Sequence, residues 1–491
     1  MSRLDGDRSG SSGDRRSVSG DQIREFLIHR AEGSPIARPA RIRDCQVSGS
    51  LDLSNLRLGI DIDLSGCSFD GDVLLSGLTA GSIDLTDTRM AALAAEHVRL
   101  NGNLVLRGAQ VGNGLSQGQL EGSDSGYLKP VGDHVQSRRR VLDWDVRSPV
   151  RLTGARIDGD VVLAEIFIAT DCTWAVYAPR IQVAGAFVGL GMRSAAGINL
   201  AEAHVENSVI LTGARIGGVD ASIATMQGGF FADWGFVSTG PVELLAIQVG
   251  NIVTFHDSEL QGMPTAVNLT RSVVSRIRLD LREPPRGRVI LRDVRVNSLI
   301  DEVKSWPAAD SLDLEGLKYH RISGTEYIPA RERIAWILKD SNVSASSFEQ
   351  LAMHYQGAGD ERSARAVRLA RERHLLRRGT FASQVWGRLQ DVLFGYGYVP
   401  ARALLWLSVL VLFGTFWFLG HPVAPLKEGE HPTWDPFIYS LDLAIPIVDL
   451  GQEKAWDPTG SNKAVVMIMV TGGWLLASAV VAGARRLLAR A

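Results

Sequence analysis

IDLSGCSF (62–69), VLLSGLTA (73–80) and IDLTDTRM (83–90) are three copies of one short unit, and their spacing decides the fold. Each has an apolar anchor, then Ser or Thr with Gly or Asp, and a second apolar or small residue five places after the anchor. The anchors Leu53, Leu64, Leu75 and Leu85 fall 11, 11 and 10 residues apart; Leu93 comes sooner, which predicts a slip of register there. The unit returns as LRGAQV (106–111) and twice as LTGARI (152–157 and 211–216). It continues through Ala221, Phe231, Leu244 and Phe255, with looser copies at LRDVRV (291–296) and LEGLKY (314–319).

An apolar residue at about every fifth position, with Gly or Asp between, makes very short strands joined by turns. Such coils bury their anchors on the coils above and below, so none is stable alone. The fold class is therefore mainly β: a right-handed β-solenoid over 41–325, entered through 21–40. Two steps make a coil, and about 12 coils stacked at about 4.8 Å give a rod of about 60 Å. Small residues at the third place after the anchor (Cys67, Ala109, Ala155, Ala203, Ala214) suit a crowded interior. A β-sandwich would alternate in hydropathy but would not repeat LTGARI. The stretch near 113–149 breaks the pattern and reads as an inserted loop. Its Arg138, Arg139 and Arg140 are either solvated or set to meet a phosphate or an acidic partner.

The chain has 491 residues, a net charge of -2 and a pI near 6.6, which exert no general pull on nucleic acid; no nucleic-acid partner is expected. Cys45, Cys67 and Cys172 are the only cysteines and no CxxC occurs, against a disulfide framework or a structural zinc site. Residues 1–20 are Gly, Ser, Asp and Arg rich with no apolar run, which predicts a disordered tail and no secretory signal. DQIREFLIHRAEG then predicts a short helix with Ile23, Phe26 and Leu27 on one face.

Helical periodicity takes over in 326–400, expected to be a helical cap with a basic linker. PARERIAWILKD places Ile334, Ile337 and Leu338 on one face, and Ser346 and Glu349 have capping-box spacing. Phe348, Leu351, Ala352 and Tyr355 follow at helical intervals; Gly357 and Gly359 stop that helix and Asp360 caps the next. The resulting hairpin is expected to close the open end of the solenoid. Arg362, Arg365, Arg368, Arg371, Arg373, Arg377 and Arg378 make a basic run, with Arg402 beyond it, suited to anionic lipid.

Two uncharged apolar runs, within 401–420 and 464–484, each have the length of a transmembrane helix. Lys and Arg flank them while the loop 421–463 is acidic, so both termini and the tail 485–491 are expected in the cytoplasm of a plasma-membrane protein with two spans. Gly473 with Ala477, and Ala479 with Gly483, have the small-xxx-small spacing that packs spans within a chain or joins chains into a homo-oligomer. Between the runs lies YSLDLAIPIVDLGQ (439–452). At 14 residues it is too short for a third span, and Pro446 bends it as a helix. It reads as an interfacial or re-entrant element with Asp442 and Asp449 turned to water. Asp442, Pro446, Asp449 and Gln452 are the candidate functional residues of the loop.

No redox or hydrolytic signature stands out in the sequence. No GxGxxG follows a strand; GAGDERS (357–363) joins two helices. Haem-attachment and iron–sulfur cysteine sets do not occur. His421 and His431 bracket part of the loop at one surface. GYG (395–397) precedes the first apolar run, whereas a potassium-type filter lies between spans. No catalytic, cofactor-binding or metal residue is assigned, and no cofactor is expected.

The LSG and LTGARIGG steps resemble pentapeptide-repeat solenoids, which form a right-handed, four-sided β-helix; the step here is often 11 rather than two strict fives. GSLDLSNLRL (49–58), VILTGARIGG (209–218) and YSLDLAIPIVDLGQ resemble a group of actinobacterial membrane proteins, over most of the chain from about residue 40. Members are often named membrane-associated oxidoreductase, which would imply a redox activity. The residues themselves favour a membrane-anchored scaffold whose solenoid offers a surface to protein partners. A channel-like or transport accessory protein acting through 421–463, and a membrane oxidoreductase, are the alternatives.

Overall fold

The computed structural model describes residues 16–32, 39–112, 148–324, 326–377, 400–427, 433–445 and 449–488. The chain divides into two compact units, 1–350 and 351–491. In the first it coils about 11 times rather than 12, and each strand pairs in parallel with its equivalents in the coils before and after. Leu51 pairs with Val73, Val73 with Leu93 and Leu93 with Val150, so the ladder resumes in step after the insertion. Arg138, Arg139 and Arg140 lie outside the described residues. One face is an 11-stranded ladder, another a 10-stranded ladder, and an 18-stranded sheet supplies two further sides, so most coils have four short strands.

The unit D-L-[ST]-[GD] explains itself residue by residue. The anchor points inward: Leu64, Leu75, Leu85 and Leu106 are each at most 1% exposed. The carbonyl of the anchor accepts from the amide three places on, as Leu75 does from Leu78 at 3.0 Å, closing a β-turn. The Asp before the anchor steadies that turn by accepting from the amide two residues on, at 2.9 Å from Ser54 to Asp52 and 2.9 Å from Thr86 to Asp84. The third turn residue has positive φ, which Gly108 adopts at +64° without steric cost. Asp87 holds the same conformation in the coil before, and its carboxylate lies over Gly108, where a Cβ would meet Oδ1 at 2.3 Å.

Two anchors differ from expectation. There is no slip at Leu93: the anchor is Ala95, fully buried, and Leu93 is the first residue of the strand before it. In the same way Phe231 is half-buried and turned outward, while Ala232 is the inward anchor beside buried Phe230. Both times a large apolar neighbour drew attention from a small residue in the interior position. The small third-place residues are interior as expected, Cys67, Ala109, Ala155, Ala203 and Ala214 all being at most 1% exposed.

The cross-section changes along the rod. In early coils a glycine corner separates two strands, and Gly185 sits so close to the coil beneath that a Cβ would lie 2.7 Å from the carbonyl oxygen of Gly159. In the last four coils the two strands fuse into continuous seven-residue strands: Gln248–Thr254, Val273–Leu279, Arg295–Asp301 and Lys318–Gly324.

Both ends of the ladder are covered within the first unit. Residues 17–19, expected in the disordered tail, form a strand that extends one face by pairing with 46–48. Helix α1 (Gly20–Glu32) follows, started by a reciprocal Ser19–Gln22 capping box, with Ile23 and Leu27 fully buried and Phe26 half-buried. At the other end helix α2 (Ala330–Ile337) buries Arg333, Trp336 and Ile337. The expected face was Ile334, Ile337 and Leu338, but Leu338 is 45% exposed. The helix is turned by Arg333, whose Nη1 lies 2.7 and 2.8 Å from the two oxygens of buried Asp301. Its guanidinium also stands 5.7 and 5.9 Å from the rings of Trp306 and Trp336. A buried cation outranks an apolar pattern because leaving it unpaired is so costly.

Helix α3 (Ala345–Gly357) starts before the expected cap residue Ser346, so Ser344 occupies the turn before it. Helix α4 (Glu361–Arg377) is capped by Asp360, which accepts from the Ser363 amide at 3.0 Å, as expected. Helix α5 (Pro400–Gly420) carries the first apolar run and helix α7 (Ser461–Leu488) the second. By length and composition α5, over Arg402–Gly420, is the one helix among the described residues that could cross a bilayer, where two were expected. Only 22% of its apolar window is buried. Leu404, Leu405, Phe413, Phe416 and Leu419 on α5 are exposed, as are Met467, Ile468 and Trp474 on α7. A short helix α6 (Pro436–Ala444) packs against both α5 and α7.

Candidate functional site

YSLDLAIPIVDLGQ is built around α6. Asp435 caps its start, accepting from Phe437 and Ile438 amides at 2.9 and 3.1 Å, with Pro436 in the first turn, where a missing N–H costs nothing. Tyr439, Ser440, Asp442, Leu443 and Ala444 are buried. Tyr439 joins an aromatic cluster, edge-on to Phe418 at 5.0 Å and 5.2 Å from Trp434, which is in turn 4.6 Å from Trp456.

The two aspartates part company. Asp442 is buried rather than turned to water. Its Oδ1 accepts from the Leu450 amide at 2.7 Å, and its Oδ2 from the Gln452 and Glu453 amides at 2.7 and 2.8 Å. Three backbone bonds fold the 450–453 segment onto the helix, so both oxygens are engaged inside the chain. Asp449 is exposed, accepts from Gly451 N at 2.9 Å, and is held below its ordinary range chiefly by the Lys454 ammonium 2.5 Å away. Gln452 Oε1 accepts from Trp456 Nε1 at 3.1 Å. Pro446 lies outside the described residues.

Small residues make room for α6. A Cβ on Gly473 would lie 2.3 Å from the carbonyl oxygen of Ala444, and one on Gly414 would lie 2.8 Å from Ser440 Oγ. Gly473 therefore seats the end of the short helix. Ala477 is buried on the same side of α7; Ala479 and Gly483 lie in α7 beyond the part whose side chains are described. His421 stacks on Trp417 at 4.4 Å, and Trp417 Nε1 donates to Asn462 Oδ1 at 3.0 Å, which closes α5 onto α7; His431 is outside the described residues.

Much of the basic run is spent locally. Arg368, 9% exposed, donates to Gln356 Oε1 at 2.7 Å across the α3–α4 hairpin, and Arg371 donates to Glu372 at 2.7 Å. Arg362 and Arg373 are exposed. Arg377 ends α4 and Arg402 lies in the first turn of α5, half-buried; Arg378 is outside the described residues.

The solenoid carries a feature that the repeat reading passed over. The fourth residue after the anchor, the Arg of LTGARI, points outward, and on one side these residues stack in register: Arg99, Arg156, Gln182, His204, Thr225, Gln248, Val273, Arg295, Lys318. Over the last five coils of that side a groove of about 790 Å³ opens between this row and a second one that includes Gln227, Asn297 and His320. Gln350 of α3 stands at its end, donating to the Tyr319 carbonyl. The signal was present in the sequence as the recurring Arg of LTGARI and LRDVRV and the Lys of LEGLKY.

Elsewhere, His256 Nδ1 and Asp280 Oδ2 are 2.7 Å apart, but Arg278 holds the same carboxylate at 2.7 Å, which makes an ion-pair cluster rather than a catalytic pair. Cys45 and Cys67 stack in successive coils of the interior. Each thiol donates to a backbone carbonyl at 3.2 Å, Cys45 to Arg43 and Cys67 to Ile42, and their proximity lowers the Cys45 thiol to about 7 and raises that of Cys67, with burial raising both. Among the described residues no three His, Cys, Asp or Glu side chains converge as metal ligands would. No family model, curated protein or solved structure matches the chain.

Proposed function

We propose that this protein is a membrane-anchored scaffold whose β-solenoid presents its long side to protein partners. The observation that carries the reading is the apolar exposure of α5. A core helix of a water-soluble protein is mostly buried, whereas Leu404, Leu405, Phe413, Phe416 and Leu419 face outward from a helix of membrane-crossing length. Beside it α7, less apolar than α5 over its described part, also turns Met467, Ile468 and Trp474 outward; in this reading it is a second span, with α6 a re-entrant element between them. The Lys and Arg bias puts the solenoid and both termini on the cytoplasmic side. A right-handed coil belongs to this reading, because the LSG and LTGARIGG steps resemble those of pentapeptide-repeat solenoids. Stacked repeats offer extended surfaces and imply no chemistry by themselves.

Crosslinking with mass spectrometry in native membranes tests this. Protein crosslinks to the solenoid are expected to persist when α5–α7 is replaced by an unrelated two-span anchor. Loss of all of them on that exchange would place the binding function in the helical part instead.

A further inference from the structure

The groove over the last coils is cationic. Arg295 and Lys318 are direct cross-strand partners in a parallel ladder, so two cations stand side by side with no third strand between them. Like charges directly opposite are unfavourable in a sheet unless something else holds them. Neither forms an ion pair among the described residues, and no carboxylate lines the groove. Around them stand neutral donors, Gln227, Gln248 and Asn297, with His320 at the far end. Other arginines of the same unit are matched: Arg292 with Asp313 at 2.8 Å, Arg278 with Asp280 at 2.7 Å and Arg282 with Asp257 at 3.0 Å. The chain thus has acids to spare and places none here.

We infer that this groove binds an acidic segment of a partner protein in extended form. The inference rests on the scaffold reading and names the class of partner. Five strands at about 4.8 Å make a track of about 19 Å, which an extended peptide rising about 3.3 Å per residue covers in about six residues. The groove volume of about 790 Å³ is of that order. Carboxylates of Asp or Glu spaced along such a segment meet Arg295 and Lys318, the amide side chains take its backbone carbonyls, and Val273, 50% exposed, takes side-chain methylenes. Nucleic acid fits less well: Tyr319 of the groove is buried, and the single imidazole of His320 is the one exposed ring in its lining, too little for a run of stacked bases. An anionic lipid surface would need a broad basic face rather than a track between two rows.

The test uses the full chain in nanodiscs of neutral lipid and two fluorescein-labelled eight-residue peptides, one alternating Glu and Thr, one alternating Lys and Thr. Anisotropy is expected to show binding of the Glu peptide alone, weakened at least tenfold by the double substitution Arg295→Gln and Lys318→Gln. The double substitution Arg99→Gln and Arg156→Gln, in the same row but outside the groove, is expected to change it less than twofold. Far-ultraviolet circular dichroism checks that each variant is folded. No binding of the Glu peptide at millimolar concentration, equal binding of the Lys peptide, or an unaltered affinity in the first variant overturns the inference. So does binding of phosphatidylglycerol vesicles through Arg295 and Lys318 in place of the peptide. Crosslinking in native membranes separates the two levels. Partners that remain on the solenoid of the Arg295→Gln, Lys318→Gln chain sink the groove and leave the scaffold standing; a wild-type solenoid with no partners sinks the scaffold.

Discussion

Replacing Arg333 by Met is expected to unfasten the last coils of the solenoid and leave the first ones intact. Arg333 and Asp301 side chains are 3% and 5% exposed, and the guanidinium hydrogen-bonds Oδ2 of the carboxylate and stands 2.7 Å from Oδ1. In Arg333→Met, Asp301 keeps only the indole N–H of Trp306, 2.9 Å away. Breaking a buried pair from one side costs about 3–5 kcal/mol, and the lost cation–π contacts add about 0.5–2 kcal/mol. Met fills much the same space between Trp306 and Trp336, so the cost is electrostatic rather than a cavity. Because each coil contacts only its neighbours, the loss stays local. At about 1.4 kcal/mol per tenfold, amide exchange across Arg295–Asp301 and Lys318–Gly324 should accelerate at least about a hundredfold. Exchange across 62–106 should be unchanged. Burial already raises Asp301 above its ordinary value with Arg333 in place, and loss of that cation raises it further. The penalty is therefore fully present above the folded pKa and fades as pH falls toward the unfolded value near about 3.9. Arg333→Met with Asp301→Leu should recover most of the protection. Hydrogen exchange with mass spectrometry on the full chain reads all of this. A loss below tenfold, or one spread evenly along the rod, would refute the reasoning.

Three further outcomes follow from the geometry. Asp442→Asn leaves one acceptor oxygen for three amides, so exchange at Leu450, Gln452 and Glu453 should rise about tenfold, at a cost of about 1–3 kcal/mol; unchanged protection there would contradict the assigned bonds. Gly473→Leu should drive α6 off α7, because the first added atom meets the Ala444 carbonyl at 2.3 Å. The cluster of buried Tyr439 and Trp456 with half-buried Trp434 would then open, seen as a red shift of tryptophan emission and faster cleavage in the 433–456 segment. Burial raises the Glu96 carboxyl, but hydrogen bonds from Ser76 and Arg151 outweigh it and hold the group below the ordinary glutamate value. Its stabilising contribution is present above the unfolded value and is lost as pH falls through the lower folded one. Glu96→Gln should remove that pH-dependent step from urea unfolding measured between about pH 5 and 3.

Most of the architecture was legible because a solenoid writes its contacts into a repeat. LTGARI at 152–157 and 211–216 shows the anchor, the turn and the small interior residue, and each lies where the repeat places it. Legibility failed where size and position disagreed. Ala95 and Ala232 are anchors because they occupy the interior register, yet Leu93 and Phe231 look more like anchors on hydropathy alone. At α2 the apolar pattern pointed to Leu338, and a buried ion pair chose another face.

The sequence by itself determined periodic features: the parallel coil, the Asp that steadies some of the turns, the length of α5, and the outward direction of the fourth residue after each anchor. These depend on neighbours a few residues apart, or one fixed repeat away. Only the tertiary structure decided which distant groups meet. It gave Asp442 three amides eight to eleven residues downstream, set Arg333 on Asp301, and seated Ala444 against Gly473. It also placed Arg295 beside Lys318 in a groove without carboxylates. Burial sets the strength of each of these contacts, and burial belongs to the packed molecule rather than to any local stretch of chain.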